Sequence, residues 1–295
     1  MKKSLLFIVN PTAGRTQSRG PLFDAVSVFS NAGYLGRVRT TAAHGDATVI
    51  AREEGGEYDV VVCCGGDGTL NETVSGLLQL EQPPLLAYLP RGTTNDFAAS
   101  LRISSRPAEA ARAVARQQPQ ALDVGMWNDR CFVYVASFGA FTKSSYSASQ
   151  AAKNALGHFA YILEGMKDLN TLRPYKLRLT ADGEVLDGEY LFGAVCSSTS
   201  IGGLMKLDPE RVVLNDGKFE MLLIPMPKSA MELQELLRAL LNKQYDAGGL
   251  IFRHVSHVFV EQEEDLPWSL DGEYAASAPA VDITNCQRAM TMLLG

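Results

Sequence analysis

The sequence has few cysteines, and none lies in a pattern that would organise a fold. There are 5 cysteines in 295 residues, and no two have the CxxC spacing of zinc or redox sites. An odd number of thiols without such spacing argues against a disulfide framework, and the 4 histidines share no metal-ligand spacing with them. We therefore expect reduced, partly buried thiols and no zinc.

Long hydrophobic runs and an excess of basic residues are also missing. No window approaches the roughly 20 apolar residues of a membrane-spanning helix. With 27 Lys and Arg against 33 Asp and Glu, the net charge of −6 argues against non-specific nucleic-acid binding. A hydrophobic share of 46% is instead typical of a soluble globular protein with an ample core, and it excludes intrinsic disorder.

The amino terminus, MKKSLLFIVNP, begins like a secretory signal. Its apolar run ends after 5 residues, at Asn10-Pro11. A signal peptide needs an apolar stretch of roughly 7–15 residues. We therefore expect a first β-strand here and a cytoplasmic protein.

Short apolar runs alternate with helical patterns over residues 1–125. This alternation predicts a mostly parallel sheet with helices on its faces. Asp46 and Asp96 lie where the N-caps of two helices are expected. The predicted strands are 5–9, 34–40, 58–64 and 85–89, and the predicted helices are 21–31, 47–54, 70–80, 96–101 and 107–117.

From about residue 126 the pattern changes to strands separated by hairpin-turn signals such as Asp-Gly. This change predicts a second, β-rich and largely antiparallel domain over 126–287. A helix at 230–241 has Ser229 and Glu232 at the spacing of a capping box, and its apolar stripe is expected to be core. The predicted strands are 122–126, 131–137, 175–181, 190–197, 219–224, 254–260 and 281–284, and a further helix is predicted at 148–169.

The strongest local signal is the segment Gly65-Gly66-Asp67-Gly68-Thr69, directly after the most apolar strand and before a helix. Glycines there let backbone N–H groups approach phosphate oxygens closely, and the helix adds its positive end. An ionised Asp67 is suited to hold Mg²⁺, directly or through water. A bare Gly-Asp-Gly fits a tight strand–helix turn equally well, but the whole segment, followed by Asn71-Glu72, favours a phosphate site.

Three further segments, 10–14, 41–47 and 90–98, occupy strand-end or helix-start positions at the same predicted edge. Ligands of open α/β sheets bind at the carboxyl ends of strands, so this co-location predicts a single nucleotide site. Thr93 and Asn95 have side chains that can bond phosphate or ribose. The P-loop, the GxGxxG dinucleotide fingerprint and the protein-kinase motifs are absent from the sequence.

The ordered motifs NPTAG, TxxxGDA, GGDGTLNE, GTTNDFA, LDVG, NDG and DGE resemble those of diacylglycerol-kinase-type lipid kinases, above all their soluble bacterial branch. The resemblance runs from Asn10 to Glu273. It implies an α/β nucleotide domain over 1–125, similar to those of NAD kinases and phosphofructokinases. It also implies a β-rich lipid-binding domain over 126–287 and a last strand, at about 288–295, that returns to the first domain.

The same resemblance implies roles for individual residues. Asp271 would be the general base, with Glu273 as support or substitute, and Asp67 would act beside the phosphates. Without the resemblance, the segments around Asp216 and Asp271 are ordinary hairpin turns. The residues implied to hold a structural Mg²⁺ are Asp216, through its carboxylate, and Val213 and Lys218, through carbonyls. The residues implied to bind ATP are Asn10, Thr41, Gly65, Gly66, Asp67, Gly68, Thr69, Leu70, Asn71, Glu72 and Thr93.

The implied activity is ATP- and Mg²⁺-dependent phosphorylation of a lipid hydroxyl, with diacylglycerol converted to phosphatidic acid as the first expectation. Peripheral contact with the inner membrane face would bring the enzyme to its acceptor, and 138–146 and 250–253 are candidate contact segments. A homodimer is the default assembly. Two alternatives stay open: an NAD kinase-like enzyme, since NAD kinases share the GGDGT segment, and a non-catalytic lipid- or nucleotide-binding regulator.

Overall fold

The computed structural model describes residues 3–14, 20–116, 118–139, 173–201, 205–207, 209–245, 247–262 and 265–294. The chain divides into two compact units, one of Met1–Val124 with Gln287–Gly295 and one of Gly125–Cys286. The helix predicted at 148–169 lies outside the described residues. Within the described ranges, no helix combines the length and apolar character that crossing a bilayer requires.

The first unit is a parallel sheet whose strands alternate with helices, as predicted. The strands run in the order β2-β1-β3-β4, and beyond β4 the last strand of the chain pairs in parallel through Met292 and Leu86. The elements are β1 (Ser4–Val9), α1 (Gly20–Asn31), β2 (Leu35–Thr40), α2 (Asp46–Glu54), β3 (Val60–Gly65), α3 (Asp67–Leu77), β4 (Leu85–Pro90), α4 (Asp96–Ser100) and α5 (Pro107–Ala115).

The core of this unit lies on both faces of its central strands. All six residues of β3 are buried, as expected for a central parallel strand covered on both sides. On one face, the ring of Phe29 from α1 stands edge-on to Phe7 and to Tyr34, with centroids 5.6 and 5.7 Å away. The register pairs Val9 with Cys64 and Gly65 with Pro90, so the strands end level with one another.

The second unit is mostly antiparallel, again as predicted. One path of paired strands runs β16-β15-β7-β9-β8-β14-β17, while β12 pairs with β9 and β13. The elements are β5 (Gln118–Trp127), β6 (Arg130–Phe132), β7 (Val135–Gly139), β8 (Tyr175–Ala181), β9 (Glu184–Cys196), β10 (Ser200–Ile201), β11 (Met205–Lys206), β12 (Phe219–Pro225), α6 (Ala230–Leu241), β13 (Ile251–Val255), β14 (His257–Gln262), β15 (Trp268–Leu270), β16 (Glu273–Ala275) and β17 (Ala280–Leu294).

Strands β5 and β17 contribute residues to both units. Within the first unit, the backbone N–H of Arg288 donates to the carboxylate of the buried Asp123 at 2.8 Å. This bond fixes the middle of β5 to the start of the returning segment of β17. The core of the second unit is centred on Trp268, whose ring lies 5.0 Å from Phe138 and 6.1 Å from Trp127 between centroids.

Two of the predicted strands are interrupted in the structure. Instead of one strand over 131–137 there are β6 and β7, because the N–H groups of Val133 and Tyr134 donate to the carboxylate of Asp271. Instead of one strand over 254–260 there are β13 and β14, because the N–H of Ser256 donates to Asp182. In both places a side chain takes the N–H groups that a strand ladder would use.

The prediction that Asp46 and Asp96 are N-caps is wrong, because both are the first residues of their helices. The carboxylate of Asp46 accepts N–H groups from Ala42 and Ala43 in the preceding loop, at 2.6 and 2.9 Å. The residues at the two cap positions are Gly45 and Asn95, both with positive φ.

Helix α6 begins as its sequence predicts. The Ser229 side chain accepts the N–H of Glu232 at 3.2 Å, and the Glu232 carboxylate accepts the N–H of Lys228 at 2.7 Å. The apolar stripe is buried at three leucines, Leu233, Leu236 and Leu240, while Leu241 is exposed. The stripe therefore packs into the core for most of its length.

Candidate active site

The segments that follow the four strands of the first unit come together at one edge of the sheet. The N–H of Asn10, after β1, donates to Cys64 O in β3 at 2.9 Å, and the N–H of Arg91, after β4, donates to Gly65 O at 2.7 Å. The N–H of Thr41, after β2, donates to Val9 O at 2.9 Å. Because the strands are parallel and in register, their polar loops form one continuous rim.

The centre of this rim is the amino end of α3. Gly66 is extended at the N-cap, Asp67 opens the helix, and the first helical bond joins Leu70 N–H to Gly66 O at 3.0 Å. The helix therefore begins three residues earlier than predicted. Its first turn, residues 67–69, presents backbone N–H groups and the positive end of the helix dipole to the rim, which favours a phosphate.

Two glycines allow the loops after β3 and β4 to touch backbone to backbone. A Cβ on Gly92 would lie 2.6 Å from the Cα of Gly66, and one on Gly66 would lie 3.1 Å from the Cα of Gly92. Gly14, at φ 81°, approaches the carbonyl oxygen of Arg91 in the same way. Any side chain at Gly92 would separate the two loops, so glycine is required for this contact.

Asp67 connects the same two loops through its side chain. Its Oδ2 accepts the N–H of Asp96 at 3.1 Å. Asn95, at φ 52°, closes the second loop by accepting the N–H of Gly92 and donating to its carbonyl, both at 2.8 Å. The hydroxyl of the buried Tyr88 donates to Asn95 Oδ1 at 3.4 Å, a contact that the sequence does not suggest because an aromatic residue inside an apolar strand is usually core.

Asn10 connects the first segment to the phosphate loop. Its Nδ2 donates to Thr69 Oγ1 at 3.1 Å, while its Oδ1 accepts both the N–H and the hydroxyl of Thr12, at 3.0 and 2.8 Å. The side chain of Leu70 is fully buried, so this predicted nucleotide-binding residue can offer only backbone groups. Two other predicted ATP-binding residues, Gly65 and Thr69, are also buried. Those that are partly or fully exposed at or near the rim are Thr41, Gly66, Asp67, Gly68, Asn71 and Thr93.

Glu72 has a structural role that sequence reasoning missed. Its carboxylate accepts the N–H groups of Gly45 and Ala47 at 2.9 and 3.2 Å, and lies 2.9 Å from Nδ1 of His44. Glu72 in α3 therefore caps the amino end of α2, whose own cap position holds a glycine. The available signal was Gly45 at a position where a capping side chain is usual.

The predicted general base lies in the second unit, in the turn between β15 and β16. Asp271 and Gly272 have φ of 51° and 87°, the two positive values of a type I′ turn. The Asp271 carboxylate accepts N–H groups from Val133, Tyr134 and Val135 at 2.6, 2.9 and 3.0 Å, and the residue is only 4% exposed. Three N–H donors stabilise an ionised carboxylate and fix its direction. Glu273 follows on β16 and is half-exposed.

The predicted metal-binding turn also lies in the second unit. Asp216 accepts the N–H of Lys218 at 3.0 Å through Oδ1, next to Gly217 at φ 81°. Asp216, Val213 and Lys218 are exposed. Among the described residues no group of three or more His, Cys, Asp or Glu could hold a metal ion. One carboxylate with nearby carbonyls fits a Mg²⁺ that keeps most of its water, but no tighter metal site.

The cysteines near the rim are inert thiols. Burial raises the pKa of Cys64 to about 11, although the nearby Arg91 opposes the shift, and burial also raises the pKa of Cys63 well above its usual value. All five cysteines are reduced, and four of them are buried. Buried thiols with raised pKa values are poor nucleophiles.

Comparison with known proteins shows that each unit matches a known domain family. Residues 4–127 match the model of the diacylglycerol kinase catalytic domain, and residues 135–293 match that of the YegS C-terminal NAD kinase beta sandwich-like domain. The chain is 34% identical to a diacylglycerol kinase of Bacillus subtilis (strain 168) over 281 residues, covering 95% of this chain and 92% of that protein. A diacylglycerol kinase of Staphylococcus aureus (strain MRSA252) is 32% identical, with coverage of 95% and 89%.

Solved structures confirm the predicted fold. The crystal structure of a diacylglycerol kinase from Bacillus anthracis str. Sterne matches with a TM-score of 0.77 at 23% identity, covering 100% of this chain and 97% of that one. A second chain from the same organism gives a TM-score of 0.83 at 24% identity, with coverage of 100% and 96%. The fold of this chain, an α/β unit followed by a mostly antiparallel β unit, is therefore shared with these solved structures.

Proposed function

This chain belongs to the diacylglycerol kinase family, and from that premise we propose that it transfers the γ-phosphate of ATP to a lipid hydroxyl, with diacylglycerol as the first expected acceptor. The observation that carries the proposal is the amino end of α3, which faces a rim formed by the loops after four parallel strands. Relatives named diacylglycerol kinase support a kinase, while the acceptor is part of the proposal.

ATP is proposed to lie with its phosphates on the first turn of α3. The N–H groups of residues 67–69 and the helix dipole stabilise negative charge there without reorganising during the reaction. The close approach of Gly66 and Gly92 keeps side chains away from the phosphates. Asn10 and Thr69, joined at 3.1 Å, line the same edge.

Mg²⁺ would arrive with ATP and neutralise charge that develops on the β- and γ-phosphates. Asp67 is the residue proposed to hold it through water, since one oxygen of its carboxylate already accepts the N–H of Asp96. Asp216 is proposed to hold a second, structural Mg²⁺ with the carbonyls of Val213 and Lys218. Both assignments use a single carboxylate, which suits an ion that retains its hydration shell.

Asp271 is proposed as the general base. It accepts the proton of the lipid hydroxyl as the oxygen–phosphorus bond forms and the bond from γ-phosphorus to the bridging oxygen breaks, releasing ADP. Phosphoryl-transfer transition states are loose, so orientation matters more than basicity. The three N–H groups that hold Asp271 supply that orientation. Glu273 is the alternative base.

The acceptor is proposed to be reached by peripheral contact with the inner membrane face. Most of the candidate contact segment 138–146 lies outside the described residues. The other candidate, 250–253, offers little apolar surface to a membrane, because the side chains of Leu250 and Phe252 are buried. Arg253 forms a salt bridge with Glu184 at 2.9 Å.

The experiment that tests this function is transfer of labelled γ-phosphate to a lipid panel in mixed micelles, with NAD⁺ as a soluble control acceptor. Phosphorylation of diacylglycerol or another lipid alcohol supports the proposal. Phosphorylation of NAD⁺ alone overturns it in favour of an NAD kinase. ATP binding without transfer to any acceptor would instead favour a non-catalytic regulator.

A further inference from the structure

The 2 tryptophans of the chain lie next to each other inside the second unit. Trp127 ends β5 and Trp268 begins β15, and their ring centroids are 6.1 Å apart. Only 5% of Trp127 and 1% of Trp268 are exposed. Neither Nε1 atom has a hydrogen-bond partner among the residues that the structure describes. A buried indole N–H usually has an acceptor, so two neighbouring exceptions require an explanation.

The surroundings of the two indoles define the group that could accept their N–H groups. An indole nitrogen is a donor only, so its partner must be an acceptor. Both tryptophans belong to a hydrophobic core cluster that includes Phe138, Leu266 and Leu270. No lysine or arginine of the described residues is buried, so an anion there would lack a buried positive charge to neutralise it. The fitting acceptor is a neutral oxygen of an apolar molecule, and the carbonyl oxygen of an acyl ester has this character.

The position of Trp268 relates these donors to the proposed reaction. Strand β15 runs from Trp268 to Leu270 and leads directly into Asp271, the proposed base. Three residues of extended chain span at most about 11 Å. In a glycerol ester the free hydroxyl and the ester carbonyls are only a few bonds apart. One lipid molecule can therefore present its hydroxyl to Asp271 and a carbonyl oxygen toward Trp268.

Trp268 also lies close to an edge of the sheet. Among the described strands, β16 ends the path that continues through β15 and β7, so β15 is one strand from that edge. Strand β16 has only 3 residues, and its Tyr274 is 57% exposed. A lipid that approaches from this edge does not have to pass through the middle of the sheet.

We propose that the indole N–H groups of Trp127 and Trp268 donate hydrogen bonds to ester carbonyl oxygens of the acceptor lipid. This inference rests on the proposed function and narrows its acceptor to an acyl glycerol, as opposed to an alcohol without carbonyl groups, such as an isoprenoid. A site built to donate hydrogen bonds discriminates against an otherwise equal analogue that lacks the acceptor, because the buried donors then stay unpaired.

The first test compares two acceptors in mixed micelles: dioctanoylglycerol, which carries ester carbonyls, and the dioctyl ether of glycerol, which carries none. We expect the wild-type chain to prefer the ester about tenfold or more in kcat/KM. W127F and W268F each keep an aromatic ring but lose an N–H, and each should reduce this preference about threefold or more. F138L is the matched control, because it changes the packing beside Trp268 without removing an N–H, and its preference should equal that of wild type.

The ratio of the two acceptors is insensitive to partial unfolding, since both are measured on the same preparation. Equal kcat/KM for ester and ether in the wild-type chain would overturn the inference. A wild-type ratio retained in W127F or in W268F would overturn the assignment of that residue.

Intrinsic fluorescence measures the same contact without turnover. Because the chain has 2 tryptophans, its indole emission reports on Trp127 and Trp268 alone. In the absence of ATP, dioctanoylglycerol should shift the emission maximum to longer wavelength, while the ether and lipid-free micelles should not. A shift with the ester but no phosphorylation of any lipid overturns the proposed function and leaves this inference standing. Equal phosphorylation of ester and ether without a shift overturns this inference and leaves the proposed function standing.

Discussion

Asp182 and Asp271 occupy equivalent positions in two Asp-Gly turns of the second unit. Their φ angles are 45° and 51°, and their backbone N–H groups donate to His257 O at 3.1 Å and Val135 O at 2.8 Å. Each carboxylate accepts N–H groups from a neighbouring segment and interrupts a strand there. The arrangement in which backbone N–H groups donate to the Asp271 carboxylate therefore occurs twice in the second unit. Asp182 provides an internal control for substitutions of Asp271.

The substitution D271N is expected to lower the rate of lipid phosphorylation by roughly 10²–10⁴, the contribution of a general base. Asparagine tolerates positive φ, so the turn should be preserved. In D182N the rate per folded molecule should stay near wild type, with a loss of about 1 kcal/mol in stability from the weakened hydrogen bonds. Initial rates and thermal unfolding of both variants are the measurements.

Measuring the rate of E273Q beside D271N also distinguishes the two candidate bases, Asp271 and Glu273. If Asp271 takes the proton, E273Q keeps its rate within about tenfold of wild type. Equal losses in D271N and D182N would show that both carboxylates only hold their turns. A rate lost in E273Q and kept in D271N would transfer the assignment to Glu273.

Removal of the Glu72 side chain is expected to destabilise the first unit. In E72A the N–H groups of Gly45 and Ala47 lose their acceptor, which should cost about 1 kcal/mol, the usual value of a helix cap. E72Q retains an acceptor oxygen and should lose less. Urea unfolding of the two variants measures the difference, and identical midpoints for E72A and wild type would contradict the capping role.

The close approach of Gly66 and Gly92 predicts an intolerance to alanine. In G92A the new Cβ would lie 2.6 Å from the Cα of Gly66, so the loops must separate. We expect Mg²⁺·ATP affinity to fall about tenfold or more, which corresponds to a cost of at least about 1.4 kcal/mol. G56A is the matched control, because a Cβ there meets the nearest side chain, Leu80, at 3.9 Å. Calorimetric titration of both variants decides, and wild-type affinity in G92A would contradict the prediction.

The lowered pKa values of three aspartates predict how the stability of the fold depends on pH. N–H groups of Ala42 and Ala43 lower the pKa of Asp46, and the His257 side chain lowers that of Asp282. Burial raises the pKa of Asp182, but N–H and hydroxyl donors from Ser256 and His257 outweigh it, so the net pKa is lowered. A lowered folded-state pKa stabilises the fold above the unfolded value, about 3.9, and this stabilisation is lost as pH falls through the folded pKa.

Thermal unfolding measured between about pH 6 and pH 3 should therefore show a decline that begins near pH 4. In D182N the decline should be shallower, since one of the contributing carboxylates is removed. A variant whose melting temperature falls as steeply as that of wild type would show that Asp182 does not contribute.

The sequence was informative wherever structure follows from local pattern. Strands such as β3 are uniformly apolar because a central parallel strand is buried on both faces. The alternation of such runs with helical patterns predicts the α/β architecture of the first unit. The convergence of Asn10 and Arg91 on β3 follows from the same topology, since parallel strands end at one edge.

What the sequence could not predict depends on partners that are distant along the chain. The break between β6 and β7 is made by a carboxylate 138 residues from Val133, and the break at Ser256 by one 74 residues away. Periodicity and propensity contain no information about such pairings.

The return of the chain's last strand to the first unit has a consequence for synthesis on the ribosome. Residues 1–124 leave the exit tunnel first, yet their sheet includes Met292 beside Leu86, and their Asp123 binds the N–H of Arg288. Every residue of the intervening unit, Gly125–Cys286, is synthesised before Arg288 and Met292. The unit that begins first in translation is thus completed last, and a chain that stops early lacks a strand of its amino-terminal sheet.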